Sequence, residues 1–96
     1  MNMMTCFELK MVDLFRFADG RTVLVGPVEG DVKFIRSCKC ELLVDGVPKS
    51  IIHIEGEMMP DRASPEGYRS VWTRDAVSLD RKLLSTSECR LRFIGE

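Results

Sequence analysis

The sequence predicts an all-β protein that forms a single small closed or split antiparallel β-barrel of about six to seven strands. Two observations lead to this fold class. Turn-forming residues, above all glycine beside aspartate, glutamate or proline, recur at short intervals. The segments between them are rich in valine, isoleucine, phenylalanine and threonine, and no apolar stripe of helical period is sustained. The chain of 96 residues has the length of one domain, which we expect to span residues 1–96.

The first predicted strand contains a change of phase. Residues 7–11 alternate apolar and polar side chains, with the apolar ones on one face. The alternation slips near residues 12–14 and resumes with Phe15 and Phe17. One extra residue in a strand produces such a slip, and small barrels use bulges of this kind to close. The sequence therefore predicts a β-bulge at this point.

Further strands follow between turn signals. Asp45 and Gly46 are the strongest signal for a tight hairpin, because both positions of a two-residue hairpin loop favour these residue types. In the strand after this turn, Ile52 and Ile54 share one face and His53 lies on the other. The strands predicted after the first are residues 22–25, 33–35, 40–44, 49–54, 68–73 and 89–94.

Three segments are predicted to lie outside these strands. Residues 59–67 contain two prolines, a glycine and several charges, so we expect a loop and the most mobile part of the chain. Residues 76–79 are compatible with a short strand or a turn, and residues 80–84 favour a helical turn. We find no internal repeat and no linker.

Composition and motifs exclude several classes of function. Fourteen basic against fifteen acidic residues give a formal net charge of −1, so no net field attracts nucleic acid or a membrane. The sequence has neither of the glycine-rich motifs that hold nucleotide phosphates, G-x-x-x-x-G-K-[ST] and G-x-G-x-x-G. Apolar runs are only a few residues long, and the start has no signal-peptide pattern. We therefore expect a cytoplasmic protein that does not associate with membranes.

The four cysteines allow two interpretations. Cys38 and Cys40 lie on one face of a predicted strand, about 7 Å apart along it, and Cys6 and Cys89 belong to the first and last strands. A four-thiolate zinc site is conceivable, but structural zinc sites use cysteine pairs on turns, where two sulfurs converge. Because cysteine is often buried, four reduced core thiols are the favoured interpretation, and no cofactor is expected.

No set of catalytic residues stands out. His53 is the only imidazole, and it is interpreted as a half-exposed strand residue. Glu55 and Glu57 share a strand face, and Asp13 is a further candidate carboxylate, but acidic residues are so frequent here that solvated side chains are favoured. The protein is therefore expected not to be an enzyme. A small hydrolase that uses Glu55, Glu57 or His53 is the least favoured hypothesis.

A surface for nucleic acid requires basic residues around aromatic rings. Trp72 is either such a stacking platform or, as we expect for a lone tryptophan in a small barrel, a core residue. Nearby Asp75 and Asp80 weaken the positive potential. The candidate residues of this surface are Arg69, Arg74, Arg90, Arg92, Tyr68 and Trp72.

One stretch of the sequence resembles a known family. Residues 12–17 (VDLFRF), 20–26 (GRTVLVG) and 28–30 (VEG) resemble the β-barrel second domain of elongation factor Tu and related translational GTPases, and residues 40–44 and 52–55 continue in a similar order. The resemblance covers about half of the chain. It implies a non-catalytic barrel, since in those GTPases this domain packs against the nucleotide-binding domain and helps to contact RNA or protein partners. No binding residue of the family carries over.

Two hypotheses for function follow. The first is a stand-alone, translation-barrel-like binding or interaction module, whose partner is a protein or RNA and which can form a homodimer through its edge strands. The alternative is a ligand- or metal-binding regulatory barrel with the architecture of the PilZ family. The R-x-x-x-R and D-x-S-x-x-G motifs with which PilZ barrels bind cyclic dinucleotides are absent from this sequence.

Overall fold

The computed structural model describes residues 6–30, 32–58 and 67–96. These residues form eight strands and one short helix, and every strand pair is antiparallel. The predicted all-β fold class is confirmed. The elements are β1 (Glu8–Lys10), β2 (Asp13–Arg16), β3 (Thr22–Glu29), β4 (Cys38–Val44), β5 (Val47–Ile54), β6 (Gly56–Met58), β7 (Tyr68–Thr73), α1 (Arg81–Thr86) and β8 (Cys89–Gly95).

The strands form one curled sheet in the order β5-β4-β8-β1-β3-β7-β6, with β2 also paired to β3. The two ends of this order, β5 and β6, are separated in sequence by Glu55 alone, so the sheet curls until its ends meet. The Glu55 amide donates to the Trp72 carbonyl (2.8 Å), and Thr73 Oγ1 donates to the His53 carbonyl (2.6 Å). No strand ladder joins β5 to β7 within the described residues, so the barrel is split at this seam.

A bulge separates β1 from β2, as the change of phase predicts. Both strands lie along the same edge of β3, where Leu9 pairs with Val28 and Asp13 with Val25. Four residues along the β1–β2 segment therefore span the same length as three residues of β3, and the additional residue forms the bulge. Gly26 lies opposite the bulge, where a Cβ atom would be 1.6 Å from the Lys10 carbonyl oxygen. Only glycine permits the two backbones to approach so closely.

The hairpin predicted at Asp45 and Gly46 is confirmed. Both residues have positive φ angles, 51° and 80°, which is the conformation of the tight two-residue turn that matches the twist of paired strands. Val44 and Val47 pair across this turn. The first half of β5 extends beyond the core, with Val47 52% and Ile51 62% exposed and with Pro48 and Lys49 also exposed.

The inner faces of the strands form one apolar core, consistent with the alternation seen in the sequence. Phe7, Leu9 and Met11 are all buried on the same face. Burial of such side chains is the main favourable contribution to folding, about 1.5 to 3 kcal/mol for each large one. The largest fully buried apolar residues are Leu9, Leu24, Ile35, Ile52, Ile54, Leu91 and Val71.

The predicted strand at residues 33–35 is wrong. Lys33 and Phe34 form a bend and Ile35 has no regular structure, and none of the three has a ladder partner. Arg69 donates to the carbonyls of Val32 and Lys33, and the Ile35 amide donates to Glu57. The short β6, which the sequence did not predict, lies directly after the seam residue and pairs with β7.

Residues 76–79 form neither a strand nor a turn of regular type. Val77 and Leu79 are buried, and their carbonyl oxygens accept hydrogen bonds from Arg16. The helical turn predicted after them is confirmed as α1, in which Asp80 caps the first turn by accepting from the Leu83 amide. In the described part of the chain, no helix is long and apolar enough to span a bilayer. The loop predicted for residues 59–67 lies, except for Gly67, outside the described residues.

We predict that Gly26→Ala destabilises the protein by about 3 kcal/mol, because the new methyl group would overlap the Lys10 carbonyl. Urea unfolding followed by tryptophan fluorescence measures this change. Gly95→Ala is the matched control, since its Cβ would meet no atom within 4 Å. Equal unfolding midpoints for the two variants would contradict the close approach of β1 and β3.

Candidate interaction surface

A row of residues crosses the outer face of the sheet from β2 to β6. Phe15 pairs with Val23, Val23 with Trp72, and Trp72 with Gly56. Their neighbours Leu14, Leu24 and Val71 belong to the core, so this row points outward. Val23 is nevertheless only 5% exposed, whereas Phe15 is 40% exposed. The larger side chains on either side of Val23 therefore cover it and form a continuous apolar surface.

Arginine side chains pack against the aromatic rings of this face. The Arg21 guanidinium lies 5.2 Å from the Phe17 ring centre and 5.8 Å from the Trp72 ring centre. The Arg74 guanidinium lies 5.4 Å from the Trp72 ring. Cation–π attraction at these distances orients both the cations and the ring. We call Phe15, Phe17, Arg21, Trp72 and Arg74 the aromatic–arginine surface.

Carboxylates neutralise part of the charge on this surface. The Arg21 amide and guanidinium both donate to Asp19, and these bonds lower the pKa of that carboxyl. Arg81 packs over the Phe15 ring at 5.0 Å and pairs with Asp13 at 3.0 Å. Arg74 is in none of the ion pairs formed by the described residues. Its positive charge acts on Asp19 through space, since it contributes to lowering the pKa of that carboxyl.

The structure corrects the predicted basic surface. Trp72 is half-buried on the outer face, so its interpretation as a core residue is wrong. Of the four predicted arginines, Arg74 alone packs against it, while Arg21, which the sequence analysis missed, lies beside the same ring. Arg21 directly precedes Thr22, which pairs with Thr73 next to Trp72. The register of β3 and β7 is therefore needed to see that Arg21 and Trp72 are neighbours.

The other predicted residues have separate positions. Arg90 and Arg92 lie on β8, away from Trp72. Arg90 binds Glu88 and Glu8, and Arg92 binds Glu41. Tyr68 begins β7 opposite Pro27. Asp75 accepts a hydrogen bond from the His53 amide, and Asp80 caps α1, so each of these carboxylates has a local role.

Arg69 points to the opposite face of β7, where it forms an ion pair with Glu57. The shortest contact joins Arg69 Nη2 to Glu57 Oε1 at 2.6 Å, and the side chains are 21% and 9% exposed. The same guanidinium donates to the carbonyls of Val32 (2.6 Å) and Lys33 (2.9 Å), and Glu57 accepts from the Ile35 amide. One ion pair thus fixes the irregular segment between β3 and β4.

The two partners stabilise each other's charged form. Burial raises the pKa of Glu57, but the hydrogen bonds from Arg69 and the Ile35 amide outweigh it, so the pKa lies below its ordinary value. The hydrogen bond to Glu57 raises the pKa of Arg69. Both groups therefore remain charged over the physiological pH range.

His53 has two side-chain partners that the sequence did not reveal. Its Nδ1 lies 3.0 Å from Glu55 Oε2, and its Nε2 lies 3.0 Å from Ser37 Oγ. Because a carboxylate only accepts, neutral His53 donates from Nδ1 and accepts the Ser37 hydroxyl proton at Nε2. This is the connectivity of a catalytic triad. Ser37 is exposed, and 43% of the His53 side chain is accessible, so water competes with both hydrogen bonds.

The predicted pair of carboxylates does not form one site. Glu55 is bound to His53, whereas Glu57 is bound to Arg69 and the Ile35 amide. Asp13 accepts from Arg81 and from the Leu14 amide. Each acid is thus already engaged by a different partner, so the structure does not assemble a shared acid–base pair from them.

The four thiols lie in three places. Cys38 and Cys40 are buried together, with their sulfur atoms 3.9 Å apart. Cys6 is exposed and precedes β1, and Cys89 begins β8, where its carbonyl accepts from the Met11 amide at the far end of β1. The four-thiolate arrangement therefore does not form. Within the described residues, no group of three or more histidine, cysteine or acidic side chains is placed to hold a metal ion.

A cavity of about 430 Å³ opens at the end of the barrel beside the segment that Arg69 fixes. Aromatic and aliphatic side chains form much of its wall, and both signs of charge are present. Its lining residues include Phe7, Ile35, Cys38, Phe93, Lys33, Arg36 and Glu96.

Comparisons with known proteins give no relative for this chain: no family model, no curated protein and no solved structure matches it.

We predict that Arg69→Met costs about 3 kcal/mol of folding free energy, because Glu57 would keep a mostly buried charge without its partner. Arg92→Met is the control, since its pair with Glu41 is more exposed and should contribute less than about 1 kcal/mol. Chemical unfolding at pH 7 measures both changes. A similar loss for the two variants would contradict the central role of the Arg69–Glu57 pair.

The same pair predicts a pH dependence. The folded-state pKa of Glu57 is below its ordinary value of 4.5. Its contribution to stability is therefore complete above pH 4.5 and is lost as the pH falls through the lower folded-state pKa. We expect Glu57→Gln to show a shallower loss of stability below pH 4.5 than the wild type. Parallel stability curves for the two proteins between pH 5 and pH 2 would contradict this assignment.

We predict that the Ser37–His53–Glu55 chain hydrolyses no ester. Because its hydrogen bonds are open to water, the wild-type protein should exceed His53→Ala with p-nitrophenyl acetate by no more than the rate of one free imidazole, and Ser37→Ala should keep the wild-type rate. A rate at least about tenfold faster for the wild type, lost in both His53→Ala and Ser37→Ala, would show instead that the chain acts as a triad.

Proposed function

We propose that this chain is a non-catalytic binding module that contacts a protein partner through the aromatic–arginine surface. The observation that carries the proposal is the position of Trp72, which is half-buried on the outer face of β7 beside the guanidinium groups of Arg21 and Arg74. Tryptophan and arginine supply a large share of the binding energy in protein interfaces.

The charges favour a protein over RNA as the partner. The chain has a formal net charge of −1, and Asp19 and Asp13 neutralise Arg21 and Arg81 next to the rings. Nucleic-acid binding depends on several uncompensated cations along the phosphate backbone. Among the described residues, Arg74 beside Trp72 is in no ion pair, which suits one carboxylate of a partner protein next to an apolar contact.

The sequence resemblance supports a role of the same kind. In elongation factor Tu and related GTPases, the resembling barrel has no catalytic residues and contacts other domains, RNA or proteins. A translation-barrel-like module would use its outer face for such contacts. The aromatic–arginine surface belongs to β2, β3 and β7, and β2 and β3 include the segments in which the resemblance is found.

We predict that Trp72→Ala weakens binding of the partner by at least about 30-fold, or 2 kcal/mol. Proteins recovered on immobilised wild-type chain are identified, and the purified candidate is then titrated against each variant by calorimetry. Arg74→Glu should weaken binding similarly, because it would repel the expected carboxylate. Ile51→Ala is the control: Ile51 is 62% exposed on β5, outside this surface, and should change affinity less than about threefold.

Three outcomes would contradict the proposal. Equal effects of Trp72→Ala and Ile51→Ala would exclude the surface, provided that both variants keep the wild-type unfolding midpoint. Recovery of RNA whose binding depends on Trp72 would assign the surface to nucleic acid. Sedimentation equilibrium that shows a dimer lost in Trp72→Ala would make a second copy of this chain the partner.

A further inference from the structure

Cys38 and Cys40 form a pair of buried sulfur atoms on the inner face of β4. They are 3% and 0% exposed, and their sulfur atoms are 3.9 Å apart. Alternate residues of a strand share a face, but their Cα atoms are about 7 Å apart. The two side chains therefore lean toward each other, which brings their sulfur atoms closer together than their Cα atoms.

This separation matches two thiolates that share one metal ion. Two sulfur atoms at about 2.3 Å from an ion are about 3.8 to 4.0 Å apart when the angle at the ion is tetrahedral or trigonal. The two cysteines would therefore need little movement to bind one ion. They offer sulfur alone, and soft monovalent copper favours thiolate donors and accepts fewer ligands than Zn²⁺.

The surroundings of this pair differ from those of Cys89, the other buried thiol. Cys38 Sγ and Cys40 Sγ lie 3.9 Å apart, whereas Cys89 Sγ contacts the Ser87 carbonyl at 4.0 Å and no other thiol among the described residues.

The cavity at the end of the barrel borders one member of this pair. Cys38 is part of its lining, together with the apolar walls formed by Phe7 and Phe93. Lys33 and Arg36 also line it and favour the negative charge that two thiolates and one monovalent cation leave, whereas Glu96 opposes it. An ion would therefore approach the pair from the side of Cys38, since Cys40 is fully buried.

We propose that Cys38 and Cys40 bind one Cu(I) ion as a bis-thiolate site at the base of this cavity. On binding, two S–H bonds break, two S–Cu bonds form and two protons pass to solvent, while the copper remains monovalent. The site is independent of the aromatic–arginine surface on the outer face.

The test is an anaerobic competition between the protein and the Cu(I) chelator bicinchoninate, with Cu(I) alone as the probe. We expect the wild type to take one equivalent of Cu(I) from the chelator. Cys38→Ser and Cys40→Ser should each bind at least about a hundredfold more weakly, because each removes a direct ligand. The double variant Cys6→Ser/Cys89→Ala is the control and should bind as the wild type does.

X-ray absorption of copper-loaded wild-type protein gives a readout that needs no variant. We expect two sulfur neighbours at about 2.2 to 2.3 Å from the copper. The proposal is overturned if the wild type takes no Cu(I), if oxygen or nitrogen atoms are the only neighbours, or if Cys38→Ser and Cys40→Ser bind normally. Loss of binding in the Cys6→Ser/Cys89→Ala control alone, or stoichiometric binding of Zn²⁺ in place of Cu(I), would overturn it as well.

Discussion

The ion pair between Arg69 and Glu57 is the constraint on which one end of this barrel depends. It joins β6 and β7 to the segment between β3 and β4. In a strand, the backbone carbonyl and amide groups bind a neighbouring strand, whereas in this segment they bind the side chains of Arg69 and Glu57. Buried backbone groups need such partners. By fixing residues 32–35, the pair also shapes the cavity beside Cys38.

Strand alternation gives the two faces of β7 different roles. Arg69 and Val71 point inward, to the ion pair and to the core, while Trp72 lies on the outer face with Arg74. Because the inner face is closely packed, the outer side chains are held on a rigid support. The aromatic–arginine surface is therefore ordered by the core beneath it and by contacts between its own members.

Local patterns predicted most of the fold, and contacts between distant residues account for what they missed. The bulge, the Asp45–Gly46 turn and the helix after Asp80 each follow from residues adjacent in sequence. Residues 33–35 have the composition of a strand, but their partners are Glu57 and Arg69, more than twenty residues away. Similarly, Arg74 is near Trp72 in sequence, whereas Arg21 reaches it only through strand register.

The exposed first half of β5 limits how the protein can assemble. A terminal strand with free backbone groups is a template for uncontrolled growth of a sheet from one molecule to the next. Pro48 lacks an amide hydrogen, and Lys49 adds a charge that would have to be desolvated. Both features therefore disfavour fibril-like stacking at this edge, where Val47 and Ile51 are exposed.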